Sequence, residues 1–223
     1  MQNNTKAVKE KRMKKYIDLT HCITHQMPVF PADPAVGVLT HHNYQNGYFV
    51  SQVIFGTHTG THIDVPVHKI KGGKTVDEVP VERFVKTAYV MDLKFLKPLE
   101  EITRSHLDKY AEKVKGIGAV ILKTGWGSHF GKDDFFTSFP GISEEAVDWF
   151  KEHEINLIGL ESPSVNAIKH AEIHTLLLQN DIYVVESLAN AEEITAEYVE
   201  FYAVPLKFKG LDGSPVRAFA IED

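Results

Sequence analysis

A chain of 223 residues suffices for one domain, and its 43% hydrophobic content supplies a core without a metal or disulfide staple. A net charge of −6, with basic residues concentrated only between Lys6 and Lys15, excludes nucleic acid as the expected partner, and the lone Cys22 excludes an internal disulfide. No run of about 18 apolar residues is present to span a membrane, and the basic start lacks the apolar segment of a signal peptide, so the cytoplasm is the expected location.

Residues 1–15 are polar and charged without apolar period and read as a flexible basic arm or short helix; a single domain is expected over 16–223. Tyr16 to Thr20 predicts a short strand, and Cys22 beside Ile23 a buried, inert thiol. Three prolines, Pro28, Pro31 and Pro34, then stiffen an extended loop that holds Phe30. That loop reads either as a substrate wall or as an ordinary connector. Strands are predicted over Val36–His42 and Tyr48–Phe55, the second rich in aromatic and β-branched residues.

Downstream, strands and helices alternate. A Gly-Gly turn lies within Lys69–Lys74, and a short helix is predicted near Pro80–Phe84. Thr87–Leu93, Gly118–Thr124, Asn156–Leu160 and Asp181–Glu186 predict buried strands. Helices are expected over Thr103–Val114, from the cap Ser143 to His153, over Ala167–Leu178 and over Thr195–Phe201. Residues 127–142 form a long Gly/Phe/Asp-rich loop, a type that is functional or disordered more often than not. Val204–Lys209 and Val216–Ile221 suggest a closing hairpin through Gly210–Pro215. The pattern predicts an α/β fold with a mixed sheet, partly curled toward a barrel and flanked by helices.

The stretch most loaded with chemistry runs from Thr57 to His68. His58, His62, Asp64 and His68 fall within eleven residues, punctuated by Gly60 and Pro66. Imidazole nitrogen with carboxylate oxygen suits zinc, manganese or iron. A straight strand would separate His58 from Asp64 by roughly 20 Å, too far for one ion with bonds of about 2.1 Å. Gly60, the threonines and Pro66 oppose a helix. A coiled-back loop remains, turned at Gly60 and stiffened by Pro66, which aims His58, His62 and Asp64 at one point with His68 beside it.

Farther along, His174 lies on a predicted helix and Glu186 ends the next strand. If Asp64 bridges, His58, His62 and Asp64 could hold one ion, and Asp64, His174 and Glu186 a second, at the roughly 3.5–4 Å spacing of hydrolytic two-ion sites. Read alone, His174 one turn from His170 fits a surface histidine equally well, and Glu186 a surface charge.

The residues from His58 to His68 resemble the signature HxGTHxDxPxH of the metal-dependent cyclase/hydrolase family, which includes bacterial kynurenine formamidases and isatin hydrolases. Asp18 to His21 is similar to the family's DLSH, Met27–Pro34 to MPVWPGDP, Thr124-Gly125-Trp126 to TGW, and Glu161–Asn166 to DTPSVD. Pro205–Lys207 and Gly213–Ala218 resemble its C-terminal hairpin. The resemblance implies a swivelling β/β/α fold and a homodimer or homotetramer. It implies His58, His62 and Asp64 as ligands of a first zinc or manganese ion, Asp64, His174 and Glu186 around a second position, and His68 as catalytic acid/base. Phe30, Trp126 and Ser164 are the expected substrate-binding residues. Ala32, Glu161 and Asn166 depart from the family pattern. The resemblance thus carries hydrolysis, with its metal set complete, but not N-formylkynurenine as substrate.

The expected activity is metal-dependent hydrolysis of an amide, formamide, or cyclic amide or ester bond in a small substrate. An imidazole, with its ordinary pKa near 6.5, can pass a proton to the leaving nitrogen. The alternative is a non-catalytic metal or small-ligand binding module on the same fold. A scaffold built on structural zinc is disfavoured because such sites draw on several cysteines.

Overall fold

The computed structural model describes residues 13–222. Its main sheet has nine strands, and the centre is parallel: β5 (Val85–Asp92), β7 (Ala119–Lys123), β9 (Leu157–Leu160) and β10 (Tyr183–Glu186) lie side by side. These are the predicted apolar runs, and β7, β9 and β10 are buried throughout, as strands covered on both faces must be. Antiparallel strands extend both ends. Beyond β5 come β11 (Tyr198–Tyr202), β13 (Phe219–Glu222) and β1 (Lys15–Asp18); beyond β10 come β4 (His62–Asp64) and β12 (Gly213–Pro215). Thr20 bridges Leu188 and the Ala189 N–H donates to the Leu19 carbonyl, so the sheet curls back on itself as a half-barrel.

Alternation along the strands divides the core between the two faces. Ile121, Tyr183 and Val185 join Ile17, Ile63, Phe201 and Ala220 on one side. Val120, Leu122, Ile158 and Val184 face Trp149, Phe150, Ile173 and Leu177 on the other. The second face is covered by the helices at Glu144–Glu152 and His170–Gln179. Ser143 caps the first of these, its side chain accepting from the Ala146 N–H. Two short sheets complete the fold, β2 (Gly37–His42) with β3 (Val50–Ile54), and β6 (Glu101–Ile102) with β8 (Gly141–Ile142). No helix among the described residues is long and apolar enough to cross a membrane.

Four expectations are corrected. Residues 198–202 form a strand rather than a helix, because Val199 and Phe201 alternate inward while β5 and β13 pair on either side. The C-terminal hairpin is reduced to a single antiparallel bridge, Pro205 to Val216, while β12 pairs with β4 and β13 lies between β1 and β11. Pro205 and Pro215 carry no N–H, which weakens a continuous ladder between the two segments. The helix expected over Thr103–Val114 shrinks to Arg104–Leu107 and a tight turn at Asp108–Tyr110, which already buries Leu107. Cys22 is exposed, not buried. Of the expected arm, residues 1–12 lie outside the described residues, whereas Lys15 belongs to β1 and pairs with Glu222.

Candidate metal centre

The chain leaves the exposed strand β3, turns at Thr57-His58 and reverses at Gly60, whose φ is +60°. It then enters β4, only three residues long. In β4 the side chains of His62 and Asp64 share a face, while Ile63 points into the core with no exposure. β10 runs alongside with Glu186 as the register partner of His62. Two strands thus bring three polar side chains onto one surface. His174 comes from the buried face of the helix at His170–Gln179. His68 ends the tight turn Pro66–His68, with proline at its start as expected for a stiffened exit.

Hydrogen bonds orient these imidazoles. The Nδ1–H of His62 donates to the Gly60 carbonyl at 2.9 Å, and that of His174 to the His170 carbonyl at 2.8 Å. A carbonyl only accepts, so each Nε2 of these rings carries a lone pair when neutral. Both Nε2 atoms face carboxylates: His62 lies 3.4 Å from Asp64 and 3.4 Å from Glu186, and His174 3.1 Å and 2.9 Å from the same two. His58 places Nδ1 2.7 Å from Asp64 and Nε2 2.8 Å from Asp212. Lone pairs aimed at carboxylate oxygens repel unless a positive charge sits between them. Asp64 is 1% and Glu186 3% exposed, so water cannot supply the compensation.

The titration behaviour states the same demand. Burial pushes His58 down, but Asp64 and Asp212 outweigh it and raise the ring to about 11. Burial likewise opposes protonation of His174, and Glu186 and Asp64 raise it to about 10. Asp64 is held well below the usual carboxylate range, burial notwithstanding, by His58 and His174. Asp212 is depressed by its contacts with His58 and His68. A divalent cation satisfies this donor set, because each outer nitrogen is already bonded to a carbonyl or carboxylate, the arrangement typical of metal-bound histidine. Donor atoms of His58, Asp64 and His68 lie mutually within 4.8 Å, as do those of His62, Asp64 and Glu186. Asp64 is common to both groups, as expected, but His68 stands in the first where His62 was expected, and His62 in the second where His174 was expected.

The centre lies on the wall of a cavity of about 220 Å³. Phe30 and Ser164 line it, together with Phe130 and Phe136; Phe30 meets Phe136 edge to face at 6.0 Å. Trp126 does not line it. Its ring is 4% exposed, stacks on His129 at 4.0 Å and donates Nε1–H to the Phe135 carbonyl, bracing the loop from behind. The long 127–142 loop instead supplies the aromatic wall, a function its length signalled without naming Phe130 or Phe136.

Glu161 and Asn166 do not line the cavity either. Glu161 accepts the N–H groups of Thr124 and Gly125, fixing the turn before Trp126, and burial raises its pKa against those bonds. Asn166 accepts from the Ile168 and Lys169 N–H groups, at the entry to the following helix. Asp212 was legible in the sequence only as part of a turn. The structure places it against both His58 and His68.

Both curated proteins and solved structures resemble this chain over most of its length. A kynurenine formamidase of Bacillus anthracis is 28% identical over 211 residues, covering 93% of this chain and 97% of that protein. The structure of isatin hydrolase A from Labrenzia aggregata, bound to benzyl benzoate, superposes with a TM-score of 0.83 at 25% identity and 93% coverage of each chain. A Bacillus stearothermophilus protein, itself predicted to be a metal-dependent hydrolase, shares the fold with a TM-score of 0.79 at 24% identity, covering 95% of this chain and 100% of that one. The family model described as "Cyclase: Putative cyclase" matches residues 17–167, which contain the His loop, the aromatic loop and the turn at Glu161. On that match, and on the fold that carries it, the chain belongs to the Putative cyclase family.

Proposed function

We propose that this chain is a metal-dependent hydrolase of acyl C–N or C–O bonds that acts on a small formamide, amide, or cyclic amide or ester with an aromatic portion. One observation carries the reading: imidazole lone pairs and two buried carboxylates converge on the wall of an aromatic-walled cavity. The relatives named above, a formamidase and an isatin hydrolase, support the same class of bond.

His58, His62 and Asp64 would hold a first zinc or manganese ion, and Asp64, His174 and Glu186 a second. When bound, such an ion supplies Lewis acidity toward the substrate carbonyl and toward water. The chain does the rest. Phe30, Phe130 and Phe136 stack on and orient the substrate ring and exclude bulk water. His68 lines the cavity with its Nδ1 toward Asp212 at 3.3 Å, leaving Nε2 to take a proton from the attacking water and return it to the leaving nitrogen. Ser164 offers a hydroxyl to a polar substituent. A small-molecule substrate, a homodimer or homotetramer and a cytoplasmic setting complete the proposal.

The test measures metal content and hydrolysis together. Protein stripped with chelator is assayed on aryl formamides, isatin and small lactams, then again after zinc or manganese is restored. Activity that appears only with the ion supports the reading. Full activity without metal refutes it, and bound metal with no hydrolysis across the panel favours the non-catalytic module.

A further inference from the structure

Asp212 belongs to none of the ligand positions above, yet it touches more of the centre than a turn residue should. Its Oδ2 lies 2.8 Å from His58 Nε2 and 3.3 Å from His68 Nδ1. Its Oδ1 accepts the Thr57 hydroxyl at 2.9 Å. The two imidazoles stand 4.2 Å apart, centroid to centroid, with this one carboxylate in contact with both.

The backbone is built to hold it there. The Val65 N–H donates to the Asp212 carbonyl and the Val76 N–H to that of Leu211, while the Gly210 N–H donates to Asp77. The next residue, Gly213, is the register partner of Asp64. A Cβ on Gly213 would fall 2.8 Å from the Ile63 carbonyl and 2.9 Å from His58 Cε1, closer than real Cβ atoms come. Glycine is therefore required for the strand to bring its neighbour against His58. The Asp212 side chain keeps 38% exposure, so its charge remains partly hydrated and its burial costs little.

We propose that Asp212 is a positioning residue that sets the tautomers of both imidazoles at once, receiving Nε2–H from His58 and Nδ1–H from His68. The consequence differs for the two rings. His58 is left with its Nδ1 lone pair toward Asp64, where the reading above puts an ion. His68 is left with its Nε2 lone pair toward the cavity, where a base is needed. One carboxylate couples the orientation of a ligand to the readiness of the acid/base. A histidine bound to metal through one nitrogen gains affinity from such an outer acceptor, and losing it costs roughly 10–100-fold. The inference rests on the proposed function for what His68 does, but not for which nitrogen carries the proton.

The experiment uses full-length, zinc-loaded protein with ¹⁵N-labelled histidine. Long-range ¹H–¹⁵N correlations at neutral to alkaline pH report the tautomer of each ring, and His68→Gln assigns the His68 signal by its loss. The expected wild-type pattern is Nδ1–H for His68. In Asp212→Ala, which removes the acceptor, that pattern collapses toward Nε2–H or a mixture, and zinc affinity by chelator competition falls roughly 10–100-fold. Asp212→Glu keeps part of both. A His68 that carries Nε2–H in the wild type overturns the proposal without any variant, even if Asp212→Ala fails to fold. A folded Asp212→Ala with an unchanged His68 pattern overturns it as well. Because the tautomer is read without substrate, a failure to find hydrolysis leaves this result distinct.

Discussion

His62 and Glu186 face one another as register partners across the β4–β10 ladder, with Nε2 3.4 Å from Oε2. The pairing ties a loop-borne imidazole to a central strand, so the geometry of the centre inherits the rigidity of the sheet. Glu186→Gln should therefore leave the fold intact by circular dichroism while lowering metal affinity by about tenfold or more, about 1.4 kcal/mol of lost charge attraction. Elemental analysis after dialysis reads the loss; unchanged metal content would remove Glu186 from the centre.

Removing the ion should lower thermal stability. A ligand present at about 100 times its Kd adds roughly 2.7 kcal/mol, which for a chain of this size is a Tm increment of about 5–10 °C. Scanning fluorimetry of chelated and metal-restored protein measures it. A Tm that ignores both zinc and manganese would mean that the two buried carboxylates are compensated by protons alone.

His68→Ala separates two roles that its position allows, since its nitrogen clusters with donors of both His58 and Asp64. As acid/base it should lose turnover by about 10² or more, with metal content near that of the parent. Loss of the metal along with the activity would make it a ligand.

His21 offers a pH test away from the centre. Its ring stacks on Phe130 at 3.8 Å and its Nε2 is buried with no hydrogen-bond partner among the described residues, and burial lowers its pKa from 6.5 to about 4. Above pH 6.5 the ring is neutral in both folded and unfolded chains and costs nothing. Between pH 6.5 and about 4 only the unfolded chain takes up the proton, so stability falls as pH falls through that window. The ring is partly exposed, and the loss by pH 5 is on the order of 1 kcal/mol after screening. Urea unfolding of His21→Phe, which keeps the stack, should show a shallower decline from pH 7.5 to 5 than the parent.

Phe30 and Trp126 should part company under mutation. Phe30→Ala opens the cavity wall and should raise KM for aryl substrates by roughly tenfold, on the order of 1.4 kcal/mol of lost ring contact. Trp126→Phe removes the donor to the Phe135 carbonyl and should cost about 1–3 kcal/mol of stability, with KM little changed. A rise in KM with Trp126→Phe alone would place that ring against substrate after all.

Much of the fold could be read before any coordinates. The apolar runs of β7, β9 and β10 admit little but buried strands, and Gly60 and Pro66 mark where the His loop turns and stiffens. Residues 195–202 were ambiguous because Tyr198, Val199, Phe201 and Tyr202 satisfy a helical stripe and a strand alternation alike; pairing with Lys86 and Ala88 of β5 decides for the strand. That decision is made by residues more than a hundred positions away, which no local pattern reports. Asp212 escaped for the same reason, since a turn sequence announces a bend and not what it faces. Trp126 misled because an aromatic at a strand end can point either way, and here Phe135 folds back over it.

The three-residue strand that carries His62 and Asp64 acquires its two neighbours only from Tyr183–Glu186 and Gly213–Pro215. A ribosome therefore exposes these donors long before the segments that will hold them in register have been made. During that interval His58, His62 and Asp64 sit on a stretch whose strand neighbours do not yet exist. On the ligand set proposed above, the geometry of the centre is complete only after those distant strands have docked.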